Sequence, residues 1–356
     1  MAKVPPLPED LSFDRAADPL RIVAIGGGTG LSTLLRGLKL YAAGWGHTAP
    51  DARPLRPAVD ITAVVTVTDD GGSSGRLRRE FDTLPPGDIR NCMVALSEDE
   101  ALLSRLFQYR FLTGRGLKGH TFGNLFLTAL SHITGDFAQA VKVSSEVIAS
   151  TGRIFPSTSA NVTLEASLEN GATVVGETKI SKSRSPIRSV ALRPRGCRPL
   201  KQTLEAIAEA DLITFGPGSL FTSIIPNLLV EGIPRAIQNS AAVKACIVNL
   251  MWQPGETMNY TAADHLAALL QHAPVRLDYA IVNTRRISDP LRRRYARQRA
   301  MPVENDLDRL REMGPAVVAA DLLEESERIR HDPGALARVA LNLALRGRRA
   351  RMSAGA

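Results

Sequence analysis

Cysteine is scarce: the 356 residues hold only Cys92, Cys197 and Cys246, far apart, with no C-x-x-C and no paired histidines. That pattern argues against a disulfide framework and against a structural zinc site, and it suits a reducing compartment. Aromatic residues are also few, at 5%. None interleaves with the basic stretches as a base-stacking surface requires, so nucleic acid is not an expected partner. Long apolar runs are missing too; nothing approaches the ~18 residues of a membrane helix, and no membrane insertion is expected. The first residues, with Pro5, Pro6, Pro8 and four acids by Asp18, lack the apolar core of a signal peptide. These absences together predict a cytoplasmic protein. There is no internal repeat and no low-complexity segment.

What is present is an ordinary globular composition, 44% hydrophobic and 22% charged. The length suits two or three domain-sized units or one large α/β domain. The net charge of +8 is local: Lys179 to Lys201 carries eight Lys/Arg and no acid, and Arg346 to Arg351 adds four Arg. We read the first as a solvated face and residues 346–356 as a basic tail. Residues 1–20 read as a flexible leader.

The chain is organised around Arg21 to Gly30, RIVAIGGGTG. Ile22, Val23 and Ile25 predict a buried parallel strand, and Leu31, Leu34, Leu35 and Leu38 share one face of a following helix. Between them, Gly26 to Gly28 allow a turn that lets another group approach the backbone. A strand, a glycine turn and a helix N-terminus aim amides and the helix dipole at one spot, which suits a phosphate. The stretch is neither a Walker loop, lacking the closing Gly-Lys-Ser/Thr, nor G-x-G-x-x-G, because Leu31 holds the last place. A tight turn with no ligand would satisfy the same residues.

Further strands are expected at 60–68, 211–215, 235–238, 245–249, 278–282 and 316–319. Helices are expected at 87–97, 98–112, 123–133, 136–150, 200–210, from 219 through 230, and at 262–271, 290–300 and 334–345. Asn161 to Ile180 alternates around Asn170-Gly171 and predicts a hairpin. With the basic stretch after it, this forms an inserted β-hairpin subdomain at about 152–199 within one domain at 21–345. Alternation of strands and helices predicts a Rossmann-like, doubly wound, mostly parallel α/β sheet. Such sheets bind ligands beyond the strand carboxyl ends, where strand order reverses.

Those ends are polar. After the second strand come Asp69, Asp70, Gly71, Gly72, Ser73 and Ser74. Two adjacent carboxylates can hold Mg2+, bond a ribose or orient a nucleophile, whereas Asx turns explain the same residues structurally. Asp88, Arg90 and Asn91 offer a helix cap or an anion contact. His120 and Asn124 flank a helix start, where a structural hydrogen bond competes with a role as acid or donor. Gly216, Pro217, Gly218 and Ser219 repeat the opening theme, so two turns could grip one pyrophosphate. Asn249 and Gly255-Glu256-Thr257 add polar groups to the same layer.

The segments GGGTGLSTLLRGLK, TVTDDGGSSGRLR, PPGDIRNCMVALS, GHTFGNL, ADLITFGPGSLFTSIIPNLLVEGI and QPGETMNYTAADHL resemble the bacterial gluconeogenesis factor (YvcK-like) family. That family lies in the superfamily of 2-phospho-L-lactate transferase (CofD). The resemblance covers roughly residues 21–345. It implies a Rossmann-like protein that binds UDP-N-acetylglucosamine. It further implies a cytoplasmic regulatory part in carbon metabolism, peptidoglycan synthesis and cell shape, with no established catalysis. It also implies contacts to the nucleotide sugar from Tyr295 (RRRYARQ) and Arg330 (I-R-H-D); packing and a surface ion pair are the plainer readings of these two. With Gly27, Gly28, Thr29 and Gly30, they complete the expected nucleotide site. An unidentified regulatory protein and a second copy of the chain are the expected macromolecular partners.

Departures from the family pattern are the long 42–58 loop, the leader, the Arg-rich tail, and Pro333 where some relatives carry Thr. Two other readings stay open. A phospholactate-type transferase would hold Mg2+ at Asp69 and Asp70. A dinucleotide oxidoreductase is disfavoured, since G-x-G-x-x-G is broken at Leu31.

Overall fold

The computed structural model describes residues 18–42, 59–97 and 102–354. The leader through residue 17, nearly all of the 42–58 loop and the start of the expected 98–112 helix lie outside the described residues. Among the described residues the first strands are β1 (Leu20–Gly26), β2 (Val59–Val65) and β3 (Arg153–Pro156). Next come β4 (Thr163–Leu168), β5 (Thr173–Val175) and β6 (Ile187–Arg193), then β7 (Leu212–Phe215), β8 (Val243–Ile247), β9 (Tyr279–Asn283) and β10 (Ala316–Ala320). A short pair, β11 (Leu323–Glu325) and β12 (Ile329–His331), comes last.

Seven of these strands form one parallel sheet in the order β10-β9-β8-β7-β1-β2-β3. The chain leaves β1 toward β2 and β3, then returns to pair β7 with the other edge of β1, Ile25 opposite Phe215. This is the doubly wound, Rossmann-like arrangement, and strand order reverses between β1 and β7. β1 and β2 are each buried at all but one position, which requires cover on both faces.

That cover is helical. α1 (Gly28–Lys39) follows β1, while α2 (Gly72–Phe81), α3 (Gly87–Leu96), α4 (Leu103–Gln108), α5 (Phe122–Thr134) and α6 (Phe137–Val147) separate β2 from β3. α7 (Glu177–Ile180) lies in the insertion, and α8 (Lys201–Glu209) leads into β7. After β7 a π-helical turn at Leu220–Ile224 runs into α9 (Ile225–Leu228) and α10 (Ile233–Asn239). α11 (Ala262–His272), α12 (Asp289–Ala296), α13 (Leu307–Glu312) and α14 (Pro333–Ala354) complete the fold. No single helix among the described residues is long and apolar enough to cross a membrane.

Four expectations change. Residues 235–238 belong to α10, not a strand: Ile233 and Ile237, one turn apart, are both fully buried, and Pro234 has no N–H for a sheet ladder. The insertion is narrower than 152–199, because β3 pairs with β2 in the main sheet. Its antiparallel sheet, order β5-β4-β6, keeps the Asn170-Gly171 hairpin, and the basic stretch supplies its third strand. The expected 98–112 helix is shorter in its described part, since α4 ends at Gln108.

The basic tail is the fourth. Residues 346–354 continue α14. Their arginines do not simply face water: Arg348 and Arg351 reach the carboxylate of Asp211 at 2.6 and 2.7 Å. Asp211 is fully buried just before β7 and also accepts the Arg21 amide at 2.9 Å. A buried carboxylate is tolerable only when paired and hydrogen-bonded, so it pins the C-terminal helix to the base of β1 and β7. Replacing Arg348 with Ala should therefore lower unfolding free energy by about 3 kcal/mol. Urea denaturation checks this; a change within about 0.5 kcal/mol, as for an ordinary surface position, would detach the helix end from the core.

Candidate functional site

β1 ends at Gly26 and α1 starts two residues later. The α1 amides at Thr29 and Gly30 precede the first closed turn and have no helical carbonyl behind them. On the other side of the reversal point, Gly216 to Ser219 leave β7. The two turns touch: a Cβ on Gly30 would stand 2.5 Å from the Pro217 carbonyl oxygen and 2.8 Å from the Gly218 Cα. No residue but glycine fits there without moving the backbone.

In front of this contact lies a cleft of about 710 Å³. Of the residues singled out by sequence, Gly27, Gly28, Thr29, Gly30, Asn91, Pro217, Gly218, Ser219, Asn249, Tyr295 and Arg330 line it. Tyr295 and Arg330 come from α12 and β12, and the Tyr295 hydroxyl links the two elements by accepting the Ile329 amide at 3.1 Å. Asn249 donates to the Gly218 carbonyl at 2.9 Å, fixing the second turn from behind.

Gly216, Asp69, Asp70, Ser73, Ser74, Arg90, His120 and Asn124 are not on the cleft wall. They form its backing. Ser73 Oγ and His120 Nδ1 are 3.0 Å apart, and Asn124 donates to Ser73 and Ser74 at 3.1 and 3.4 Å. Arg90 donates to Thr121 Oγ1 and to Asn91 Oδ1, both at 2.6 Å, and so orients the Asn91 amide that reaches the cleft. Asp69 accepts the Gly71 amide at 2.8 Å, and Asp70 accepts the Thr178 amide and hydroxyl at 2.9 and 2.6 Å. Asp70 thus ties the insertion to the sheet. The two carboxylates face different partners. Among the described residues no group of three or more His, Cys, Asp or Glu is placed to hold a metal ion.

Asp88 resolves its two alternatives in an unforeseen way. It does not cap α3, whose preceding residue Pro86 makes no side-chain cap. Its carboxyl instead packs under Gly27, 2.5 Å from where a Cβ would stand. Desolvation, and then the Asp69 charge, push its pKa up to about 7 against a pull from the Gly28 amide. That amide is therefore engaged by Asp88. Asp69 is raised mainly by desolvation, and Glu177, desolvated beside Asp88 and Asp69, is raised to about 10. An acid layer that resists ionisation lies behind the glycine turn.

Sequence reasoning overlooked Arg36, Thr33, Ser223, Met251, Trp252 and Gln253 on the cleft wall. Arg36 was legible in principle, two turns into α1 on the helix that starts at the glycines. Trp252 and Gln253 were not. The expected Gly255-Glu256-Thr257 group lies one step back: the Thr257 hydroxyl accepts the Gln253 amide at 3.0 Å, and Gln253 Nε2 donates to Ser219 Oγ at 2.7 Å. Among the described residues the wall holds the cations Arg36 and Arg330 and no carboxylate. His331, also on the wall, is held neutral by burial, its pKa lowered to about 4.

Sheet and cleft together define a Rossmann-like α/β protein with an anion-suited cleft at its topological reversal point. Comparison with known proteins gives the particular family. Residues 22–323 match the family model of 2-phospho-L-lactate transferase CofD. The gluconeogenesis factor of Bacillus subtilis is 46% identical over 91% of this chain and 98% of its own. That of Halalkalibacterium halodurans is 46% identical over 87% of this chain and 92% of its own. A crystal structure of a UPF0052 family member from Bacillus halodurans superposes with a TM-score of 0.84 at 44% identity, covering 91% and 99% of the two chains. The chain belongs to the CofD family and, within it, to the gluconeogenesis factors.

Asp88 generates a pH prediction. In the unfolded chain this carboxyl ionises near 3.8, in the folded chain near 7. The folded state binds the extra proton between those values, so its contribution to stability falls as pH rises through the window. Asp88→Asn should stabilise the protein at about pH 8 relative to wild type and flatten the loss between about pH 5 and about pH 8. Urea midpoints at the two pH values test it; an unchanged slope would remove Asp88 from the titrating layer.

Proposed function

We propose that the cleft binds a nucleotide sugar, UDP-N-acetylglucosamine, as a regulatory ligand. The observation that carries this is the wall itself: two touching glycine turns at the reversal point and, among the described residues, two arginines and no acid. Free amides at a helix start and guanidinium groups favour a diphosphate. Trp252 and Tyr295 supply flat apolar faces for a base or sugar ring, and Asn91, Asn249 and Gln253 supply amides for its polar edges. The volume suits a ligand of that size. Tyr295 and Arg330 close over it from the β11–β12 side.

The ligand-dependent state would be read by a protein partner in the cytoplasm. Relatives named gluconeogenesis factors support a part in carbon metabolism; the parts in peptidoglycan synthesis and cell shape rest on the family resemblance. The CofD match favours a second reading, a transferase acting on a nucleotide-activated donor. It needs ionised groups and a metal at the reacting phosphate, and Asp69 and Asp70 lie off the wall, each with a hydrogen bond of its own.

UDP-N-acetylglucosamine at about a hundredfold its Kd should add about 2.7 kcal/mol to stability, visible as a raised melting temperature. Tyr295→Ala and Arg330→Ala should each weaken binding about tenfold or more in calorimetric titration, with the apo melting temperature unmoved. Absence of binding at millimolar ligand, with and without Mg2+, would sink the reading. Mg2+-dependent nucleotide release that Asp69→Asn abolishes would favour the transferase.

A further inference from the structure

α4 has two faces. One brings Ser104 and Gln108 to the cleft. It is held down by Phe107, buried with its ring centroid 6.0 Å from that of Phe122 and 5.2 Å from that of Phe126. Away from that wall, Leu102, Leu106 and Tyr109 are 70%, 39% and 55% exposed. The chain then makes a hairpin loop whose base is closed by hydrogen bonds from Phe111 N to His120 O, 2.9 Å, and from Gly119 N to Phe111 O, 2.7 Å. Every residue from Leu112 to Lys118 at its tip is exposed, Leu112 at 76%.

Within residues 102–118 the charged side chains all have one sign, and Glu98, Asp99 and Glu100 precede the segment in the chain. Arg105, Arg110, Arg115 and Lys118 lie in this segment, and no acid occurs from Ala101 to Gly135. Arg76 of α2 adds a further cation, donating to the Lys118 carbonyl at 2.8 Å. Glu80 acts on His120 at the base of the hairpin, not at its tip.

Contiguous apolar surface left in water calls for a partner. A second copy would press one acid-free set of cations against another. Exposed leucines and a tyrosine interleaved with four cations match the composition of segments that lie in a headgroup layer. We propose that the α4–hairpin surface, Leu102 to Lys118, docks the protein peripherally on an anionic phospholipid bilayer. Leu112 and Leu117 enter the interface, Tyr109 sits at its level, and Arg105, Arg110, Arg115 and Lys118 meet lipid phosphates. The attachment is peripheral, with no single helix among the described residues long and apolar enough to cross the bilayer. The docked protein holds its cleft, which shares α4, beside the bilayer surface. The proposal does not depend on which ligand fills that cleft.

Sedimentation of the full chain with vesicles tests it. Phosphatidylcholine vesicles containing phosphatidylglycerol should bind the protein, pure phosphatidylcholine vesicles should not, and added salt should weaken the attachment. Leu112→Glu/Leu117→Glu and, separately, Arg115→Glu/Lys118→Glu should each reduce vesicle affinity at least tenfold. Both variants change exposed side chains only, so melting temperature and cleft binding should stay at wild-type values and report that the fold is intact. No attachment at low salt would overturn the proposal. So would equal attachment of both variants, which would point to the other basic faces of the molecule. Concentration-dependent dimerisation lost in Leu112→Glu/Leu117→Glu, without vesicle binding, would reassign the surface to a second copy. Capture of an acidic protein without vesicle binding would reassign it to that partner.

Discussion

The contact between Gly30 and the Pro217–Gly218 backbone is the constraint on which the site depends. Parallel pairing of β1 with β7 puts the two strand ends side by side, and the missing Cβ lets the turns close to van der Waals distance. A larger residue would spread the turns and widen the space between the amides of α1 and the carbonyls after β7. Everything else on the wall is arranged relative to that point. Asn249 and Gln253 brace the second turn by hydrogen bonds to Gly218 and Ser219. The Tyr295–Ile329 bond brings the far side of the cleft into register.

Behind the wall burial disfavours the charged form of the acids. Asp69, Asp88, Glu177 and Glu256 are each pushed up mainly by desolvation. Ionised carboxylates so close to an anion cradle would repel the ligand that the amides attract. With ionisation disfavoured by burial, they act as hydrogen-bonding struts instead. Asp88 under Gly27 does this while taking the Gly28 amide, so fewer amides face the cleft than a bare glycine turn would offer. Arg36 and Arg330 restore the positive field from side chains.

The opposite end of the sheet is organised by another buried acid, Asp211, and there the solution is pairing. Arg348, Arg351 and the Arg21 amide converge on it, so a segment rich in arginine becomes the last turns of a core helix. This also explains part of the excess positive charge. Some of the cations at the C-terminus neutralise an interior group rather than advertise a polyanion site.

Local pattern decided much. The apolar β-branched run before Gly26, the leucines of α1 at helical spacing and the Asn170-Gly171 turn each carry their own structure, because short-range sterics and burial of one face suffice to specify them. From these the doubly wound sheet followed, as did the position of the glycine turns at strand ends. Other outcomes depended on contacts between segments far apart in the chain. Residues 235–238 have a strand-like composition, yet burial of Ile233 and Ile237 with Pro234 between them makes a helix. Asp69, Ser73 and His120 look like site residues, but packing turns Ser73 and His120 to one another and Asp69 to the Gly71 amide, while Trp252 and Gln253, with no motif to announce them, reach the wall. The arginines after Leu345 read as a tail until Asp211, more than a hundred residues earlier, is folded against them. Sequence alone determined most of the strands, the glycine turns and the family resemblance. Which polar groups face the cleft was decided only by tertiary packing, because a side chain's partner across the fold leaves no trace in its own neighbours.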